Sequence, residues 1–503
     1  MIQEHRYVVV GAGPAGLQIG YFLQARGADY LIVERERLAG GFFSRFPRHR
    51  RLISLNKVHT LSDDPETQLR WDWNSLLSDD PSLLFPQYSD DYFPSPDDLR
   101  RYLHDFHTTH DLRIAFGVGV DRVVKEGDGF RLETTGGPEL RAECLIWAGG
   151  WGSPNIPGIP GIEYAEGYED MSVDPEQFRG KRVLILGKGN SAFETAHELL
   201  GHASMIHLAS PRPVQLAWNT RHPGDVHGMY GALLDSYQFK TLHAVLDCTV
   251  DRIAFDGETY TVDISYSHAD GETATLEYDA VLRCTGFRMN TEMFADGLKM
   301  APCEKLPAVR ADWESANLDN LYFAGTLMQA RDLKQASSAF IEGFRYNLRT
   351  MDRLLAERYD GIRLPRTAVP LDELTGSILD RLNGSSALWT QCQYLVDALV
   401  VAGGGVDRYE DLPEDYAVER FGNVITVGLR WGSGPYSDVF AVERHPVPSR
   451  AAESSFIHPV VRVFENGVLA EELHLLEDLL AEWRHPDRHV APLEEFLRRL
   501  LPR

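Results

Sequence analysis

Five cysteines in 503 residues give this chain little covalent architecture. They stand at 144, 248, 284, 303 and 392, an odd number, with no two spaced as CxxC or CxxxxC. A disulfide framework, a zinc or other metal site and dithiol redox chemistry are therefore not expected. Basic residues are scarce as well: 50 Lys and Arg face 74 Asp and Glu, a formal charge of −24. Such a surface repels phosphate backbones and anionic lipid, so neither nucleic acid nor a membrane is an expected partner. No run of about 18 apolar residues is present to span a bilayer. The opening residues Met1-Ile2-Gln3-Glu4-His5-Arg6-Tyr7 carry no leader pattern, and the closing Leu500-Leu501-Pro502-Arg503 carries no lipidation or retention signal, which makes the cytoplasm the expected compartment. Apart from these shortages, the composition is that of a globular protein, 43% hydrophobic and 25% charged, with length enough for two or three cored domains.

The first informative motif begins at once. Tyr7-Val8-Val9-Val10 reads as a buried strand running into Gly11-Ala12-Gly13-Pro14-Ala15-Gly16, and apolar positions at helical spacing follow through Leu17, Ile19, Phe22 and Leu23. In this turn Gly11 allows the sharp bend, Gly13 lets the backbone approach a pyrophosphate and Gly16 lets the helix pack close to the strand. The free N–H groups of the helix start then face the phosphates. A second strand, Tyr30-Leu31-Ile32-Val33, ends on Glu34, placed to accept the hydroxyls of an unphosphorylated adenosine ribose. Gly41 follows as a further cofactor contact.

The motif recurs. Arg182-Val183-Leu184-Ile185-Leu186 leads into Gly187-Lys188-Gly189-Asn190-Ser191-Ala192. The step from Gly11 to Glu34, taken from Gly187, arrives at Ser210-Pro211-Arg212. No acid stands there to repel a 2′-phosphate, and Arg212 is available to receive one. The first site thus reads as one for FAD and the second as one for NADPH. Two dinucleotide sites in one chain suit hydride transfer from a nicotinamide to a flavin. Small-residue strand ends at Trp147-Ala148-Gly149-Gly150, Cys284-Thr285-Gly286 and Phe323-Ala324-Gly325-Thr326 punctuate the passages between the units. The last returns the chain to the flavin through Gly325, and a helix near Ser338 is placed to hold the flavin pyrimidine oxygens.

Longer stretches carry a resemblance. Phe46 to Lys57, Asp72 to Asp80, Gly167 to Val173, Leu184 to Ala196, Leu234 to Lys240, Ser455 to Val460 and His489 to Leu493 together make the chain similar to the class B flavin monooxygenase-like two-dinucleotide flavoproteins. Within that group they resemble an endoplasmic-reticulum family of FAD-dependent oxidoreductase domain-containing proteins, and the likeness covers nearly the whole chain. The opening and closing residues do not resemble the leader and retention tail of that family's animal members, so an endoplasmic-reticulum role is not expected to carry over. Met171 or Asp170 stands where the monooxygenase signature places a histidine. The resemblance implies an NADPH-dependent flavin monooxygenase acting on a small molecule with dioxygen through a C4a-(hydro)peroxyflavin, amine N-hydroxylation being one option. The alternative is a non-oxygenating flavoprotein reductase or a redox partner that docks another protein. The resemblance also implies that Asn56 lies beside the flavin, with Lys57 after it, both able to donate hydrogen bonds to a peroxide oxygen. Trp218, Arg221, His222 and Asp225 form a second polar cluster in which His222 is a candidate general acid or base. Trp71 and Trp73 are candidate walls of a substrate pocket.

The expected fold class is α/β: two Rossmann-like domains and a small α+β appendage. The FAD domain takes 1–170 and 288–365, the NADPH domain is inserted at 171–287, and the appendage runs over 366–503. In the appendage, helices are expected over Leu371–Leu382, Leu388–Val401, Glu471–Trp483 and Leu493–Leu501, with strands at Asn423–Leu429 and Pro459–Val463. Capping the cleft, forming a homodimer and binding a partner are all open as its role.

Overall fold

The structure is a computed structural model that describes residues 2–239, 242–432 and 441–501. Lys240, in one of the stretches carrying the resemblance, lies outside them. The architecture is α/β with two dinucleotide-type sheets and a third, antiparallel sheet. In the first sheet four parallel strands lie in the order Ile114–Phe116, Tyr30–Glu34, Gln3–Val10 and Leu140–Trp147. Leu321–Phe323 joins parallel at the end of the last, whose beginning pairs antiparallel with a hairpin, Gly119–Glu126 and Gly129–Thr135. The central strands read as unbroken apolar runs because helices and loops cover both faces of a parallel sheet. Val10 pairs with Val33 and with Trp147, and Trp147 with Phe323, so these strands end along one carboxyl edge. The helices Pro14–Ala25 and Ile341–Asp360 both begin beyond that edge and pack against each other. Their amino ends therefore open on the same crevice, where parallel sheets place their ligands.

The second sheet centres on Arg182–Leu186, flanked in parallel by Met205–Ser210 and Ala280–Arg283. Ala244–Phe255 continues it and the antiparallel pair Tyr260–Tyr266 and Thr273–Tyr278 closes one side. Glu166–Gly167 already pairs with Ala280–Arg283, so this sheet takes up the chain slightly before residue 171. The outgoing and returning passages touch where Ser153–Pro154 pairs with Phe287–Arg288.

Residues from 367 onward form a six-stranded antiparallel sheet in the order Thr367–Pro370, Gly405–Pro413, Leu395–Ala402, Val424–Arg430, His458–Glu465 and Val468–His474. Along Val424–Arg430 the side chains alternate. Ile425, Val427 and Leu429 enter a core with the helices Leu374–Gly384 and Ala491–Leu500. Val424, together with Leu395, Ala398 and Leu412, enters the core that holds Tyr7, Leu17, Met351 and Leu355 of the first domain. The appendage thus shares its inner core with the FAD-type domain.

Two expected helices do not form. Leu388–Val401 divides into a short helix, Ser386–Thr390, and the strand Leu395–Ala402. Gln393 at φ 70° breaks the helix, and the branched Val396, Val400 and Val401 favour the strand that the buried Asp397–Arg381 ion pair fixes. Glu471–Trp483 contributes the strand Val468–His474 and then irregular chain. Its residues favour a helix, but pairing with His458–Glu465, through Arg462–Glu472 and His458–His474, overrides that preference, and Ala481 at φ 57° forbids helix continuation.

Candidate functional site

The two glycine turns are built alike. Gly11 has φ 105°, and a Cβ there would lie 2.8 Å from the Ala148 carbonyl oxygen. A Cβ on Gly16 would lie 1.8 Å from the Gly11 carbonyl oxygen, so the helix packs on its own turn. Gly13 differs: a Cβ there meets nothing within 4 Å. It caps the helix whose first residues are Pro14 and Ala15. In the second turn Gly187 has φ 120° and backs onto the Cys284 carbonyl, while a Cβ on Gly189 again meets open space. The bare backbone at Gly13 and Gly189 is the cradle a pyrophosphate requires, and the chain fits a dinucleotide at both. Glu34 accepts the Ala12 N–H at 2.7 Å and the Glu36 N–H at 2.9 Å, one on each oxygen, leaving each a second lone pair for a ribose hydroxyl. Gly41 opens a short helix beside Glu36, and Gly325, at φ 70°, faces Ala15, where a Cβ would come within 2.7 Å of the alanine methyl.

Other candidates have partners of their own. The Asn56 side-chain amide donates to the Ser89 carbonyl at 2.6 Å and is buried; Lys57 beside it is exposed. Asn190 fastens a loop to the second turn: its amide donates to the carbonyls of Gly224 and Asp225 at 3.0 and 2.9 Å and its oxygen accepts the His227 N–H. The Ser191 carbonyl accepts the Thr195 hydroxyl. Ser210 bonds weakly to the Arg212 carbonyl at 3.4 Å, and the Arg212 side chain is exposed with no partner among the described residues. Ser338 is fully buried, its hydroxyl accepting from Asn347 and Gln391. Trp71 and Trp73 are half-buried.

The loop that Asn190 holds carries His222 and Asp225. His222 lies against Phe340, and burial lowers its pKa, which keeps the ring neutral at pH 7. Asp225 pairs with Lys334 at 2.6 Å, a bond from the second domain to the segment that precedes the helix Ile341–Asp360. Arg221 turns the other way, over the Trp431 ring of the appendage at 4.9 Å. Sequence reasoning missed Lys334, because an ion pair across 109 positions leaves no local signature. It also missed Lys188, buried within the second turn and paired with Asp247.

All five cysteines are free. Cys144, Cys392, Cys284 and Cys248 sit in four separate hydrophobic clusters, and Cys303 is exposed. Burial pushes the Cys248 thiol up to about 11 and those of Cys284 and Cys392 up to about 12, so none is a ready thiolate.

Residues 8–325 match the family model described as pyridine nucleotide-disulphide oxidoreductase. The mouse FAD-dependent oxidoreductase domain-containing protein 2 is 35% identical over 99% of this chain and 84% of its own. The rice indole-3-pyruvate monooxygenase YUCCA1 is 29% identical over 44% of this chain and 50% of its own. Among solved structures, a flavin-containing monooxygenase from Stenotrophomonas maltophilia superposes with a TM-score of 0.54 at 22% identity, over 71% of this chain and 99% of that one. With the two cradles in place, these likenesses settle the lineage: the chain belongs to the pyridine nucleotide-disulphide oxidoreductase family, alongside the FAD-dependent oxidoreductase domain-containing protein 2 relatives, and is an FAD-dependent oxidoreductase with FAD and NADP(H) as cofactors.

Proposed function

We propose that the chain is an NADPH-dependent flavin monooxygenase that oxygenates a small molecule, N-hydroxylation of an amine being one form of the reaction. The observation that carries this reading is the pairing of two dinucleotide cradles with the absence of a dithiol. The family includes disulphide reductases, but four of these cysteines occupy four different cores, the fifth is exposed, and all five are free. Dioxygen is then the simplest acceptor, and the rice relative is by name a monooxygenase. Bound FAD and NADPH supply the two-electron relay from nicotinamide to dioxygen.

The chain's own residues bind, orient and shield. Gly11, Gly13 and Gly16 with Glu34 hold FAD; Gly187 and Gly189 with Ser210 and Arg212 hold NADPH. Asn190 fixes the loop over the second cradle, and the Asp225–Lys334 pair keeps that loop against the flavin-side segment. His222, neutral and buried at this junction, is the candidate that moves a proton. Five unpaired thiols suit a reducing, cytoplasmic setting.

Purified enzyme given NADPH, labelled dioxygen and a panel of primary amines and thioethers is expected to yield a product carrying the label. Electron delivery to a protein acceptor with no labelled product from any compound overturns this in favour of the non-oxygenating reading. That reading has one structural support, the strongly exposed Leu479 and Leu480 on the appendage.

Arg212 sets the nucleotide preference. An exposed guanidinium facing a 2′-phosphate contributes a charge-assisted bond, so Arg212→Ala is expected to raise the KM for NADPH by about tenfold and leave that for NADH nearly unchanged. Rapid-mixing reduction of the flavin by each nucleotide measures it. An equal loss with both nucleotides removes Arg212 from 2′-phosphate recognition.

A further inference from the structure

The appendage reaches the flavin side of the crevice through several residues, Gln391 among them. Gln391 is fully buried, just past the short helix Ser386–Thr390. Its oxygen accepts the Ser337 N–H at 3.0 Å. Its amide donates to the Ser338 hydroxyl at 2.9 Å and to the Asn347 oxygen at 2.7 Å. Asn347 in turn donates to Ser338 at 2.8 Å. Ser338 and Asn347 are fully buried too, so Gln391, Ser338 and Asn347 form a closed ring of bonds inside the protein. A buried polar network whose members satisfy one another selects a single geometry. Here the geometry it selects is that of residues 337–340, which lead into the helix Ile341–Asp360. Neighbouring contacts reinforce it. Gln393 donates to the Gln335 carbonyl at 3.0 Å, and from the helix Arg349 pairs with Asp411 at 2.7 Å while the Thr350 hydroxyl donates to the Asp411 carbonyl at 2.7 Å.

We propose that Gln391 is a positioning residue for the flavin: from the appendage it holds Ser337, Ser338 and Asn347, and through them aims the amino end of the helix Ile341–Asp360 at the pyrimidine end of FAD. The inference rests on the assignment of FAD to the first cradle. The appendage thereby completes the cofactor site. Negative charge grows on the pyrimidine oxygens as flavin is reduced, and an aligned helix start stabilises it. A displaced helix start lowers both FAD affinity and the flavin midpoint potential.

The test uses the full-length holoenzyme. Gln391→Ala is expected to raise the Kd for FAD by roughly tenfold and to shift the flavin midpoint potential downward. Ser338→Ala, a smaller excision from the same ring, is expected to move both in the same direction by less, and it serves if Gln391→Ala fails to fold. Thr390→Ala is the control. It removes only the bond of its own hydroxyl to the Ser386 carbonyl at 3.0 Å and leaves the ring intact, so it is expected to change stability without changing the potential. An unchanged potential in folded Gln391→Ala and Ser338→Ala overturns the proposal. So does an equal shift in Thr390→Ala, which would mean general loosening. If the unaltered chain takes up no FAD, the cofactor assignment itself has failed, and that result is distinct from either.

Discussion

Gly13→Val is expected to give a folded, soluble and colourless protein. The backbone at Gly13 has φ −77° and ψ −177°, extended values that valine adopts without strain. A Cβ there meets no protein atom within 4 Å, so the side chain has room in the protein alone. What it fills is the space a pyrophosphate takes when the backbone N–H groups bind it. Folding and cofactor binding are thereby separated, which Gly16 does not allow, since a methyl there collides with the turn itself. Gly189→Val is the matching experiment in the second cradle. It is expected to keep the flavin absorbance and lose the response to NADPH. Flavin content after purification and a NADPH titration read both outcomes. Full flavin content in Gly13→Val means that the first turn does not hold FAD.

The second large effect is on stability against pH. Glu342 lies in the first turn of the helix Ile341–Asp360 and is almost fully buried. Burial pushes its pKa up to about 8; Arg345 pulls it down and Asp72 adds to the rise. In the unfolded chain a glutamate titrates near 4.3. Between those values the folded protein keeps a proton that the unfolded chain has released, so stability is highest below the unfolded value and falls as pH rises towards the folded one. The slope is about 1.4 kcal/mol per pH unit for one such group, hence several kcal/mol across the window. Asp332, raised to about 6, and Glu194, raised to about 7, both by burial, add the same sign over narrower windows. Buried histidines held below their usual value, among them His49, His207, His222 and His227, act with the opposite sign below pH 7, so the holoenzyme's denaturant midpoint is expected to drop between pH 7 and pH 8, and Glu342→Gln to remove most of that drop. Parallel pH profiles for the two proteins would show that Glu342 does not carry it.

Much of the cofactor architecture was legible because it is local. A strand, a glycine turn, a helix and an acid lie within Tyr7–Glu34, and the backbone geometry of each is dictated by residues nearby. The same holds for Arg182–Ala192. Candidates chosen by residue type fared differently. Asn190 opens a helix and Ser338 stands three residues before one, and their side chains serve loop and core contacts whose partners, Gly224, Asp225 and Gln391, lie tens of positions away. The appendage was least legible. Its strand Val468–His474 is written in helix-favouring residues, and only pairing with His458–Glu465 makes it a strand. Gln391 gave no signal at all, because a glutamine matters only through what it reaches.

The shared core beneath the appendage bears on how the molecule comes apart. Leu395, Ala398, Leu412 and Val424 fill the same interior as Tyr7, Leu17 and Met351, and Arg349 is paired with the buried Asp411. Removing residues 366–503 would strip that interior of one wall and leave Arg349 without its carboxylate. The two regions are therefore expected to open together: amide protons in the strand Leu395–Ala402 and in the helix Ile341–Asp360 should exchange through the same event, which hydrogen exchange measures.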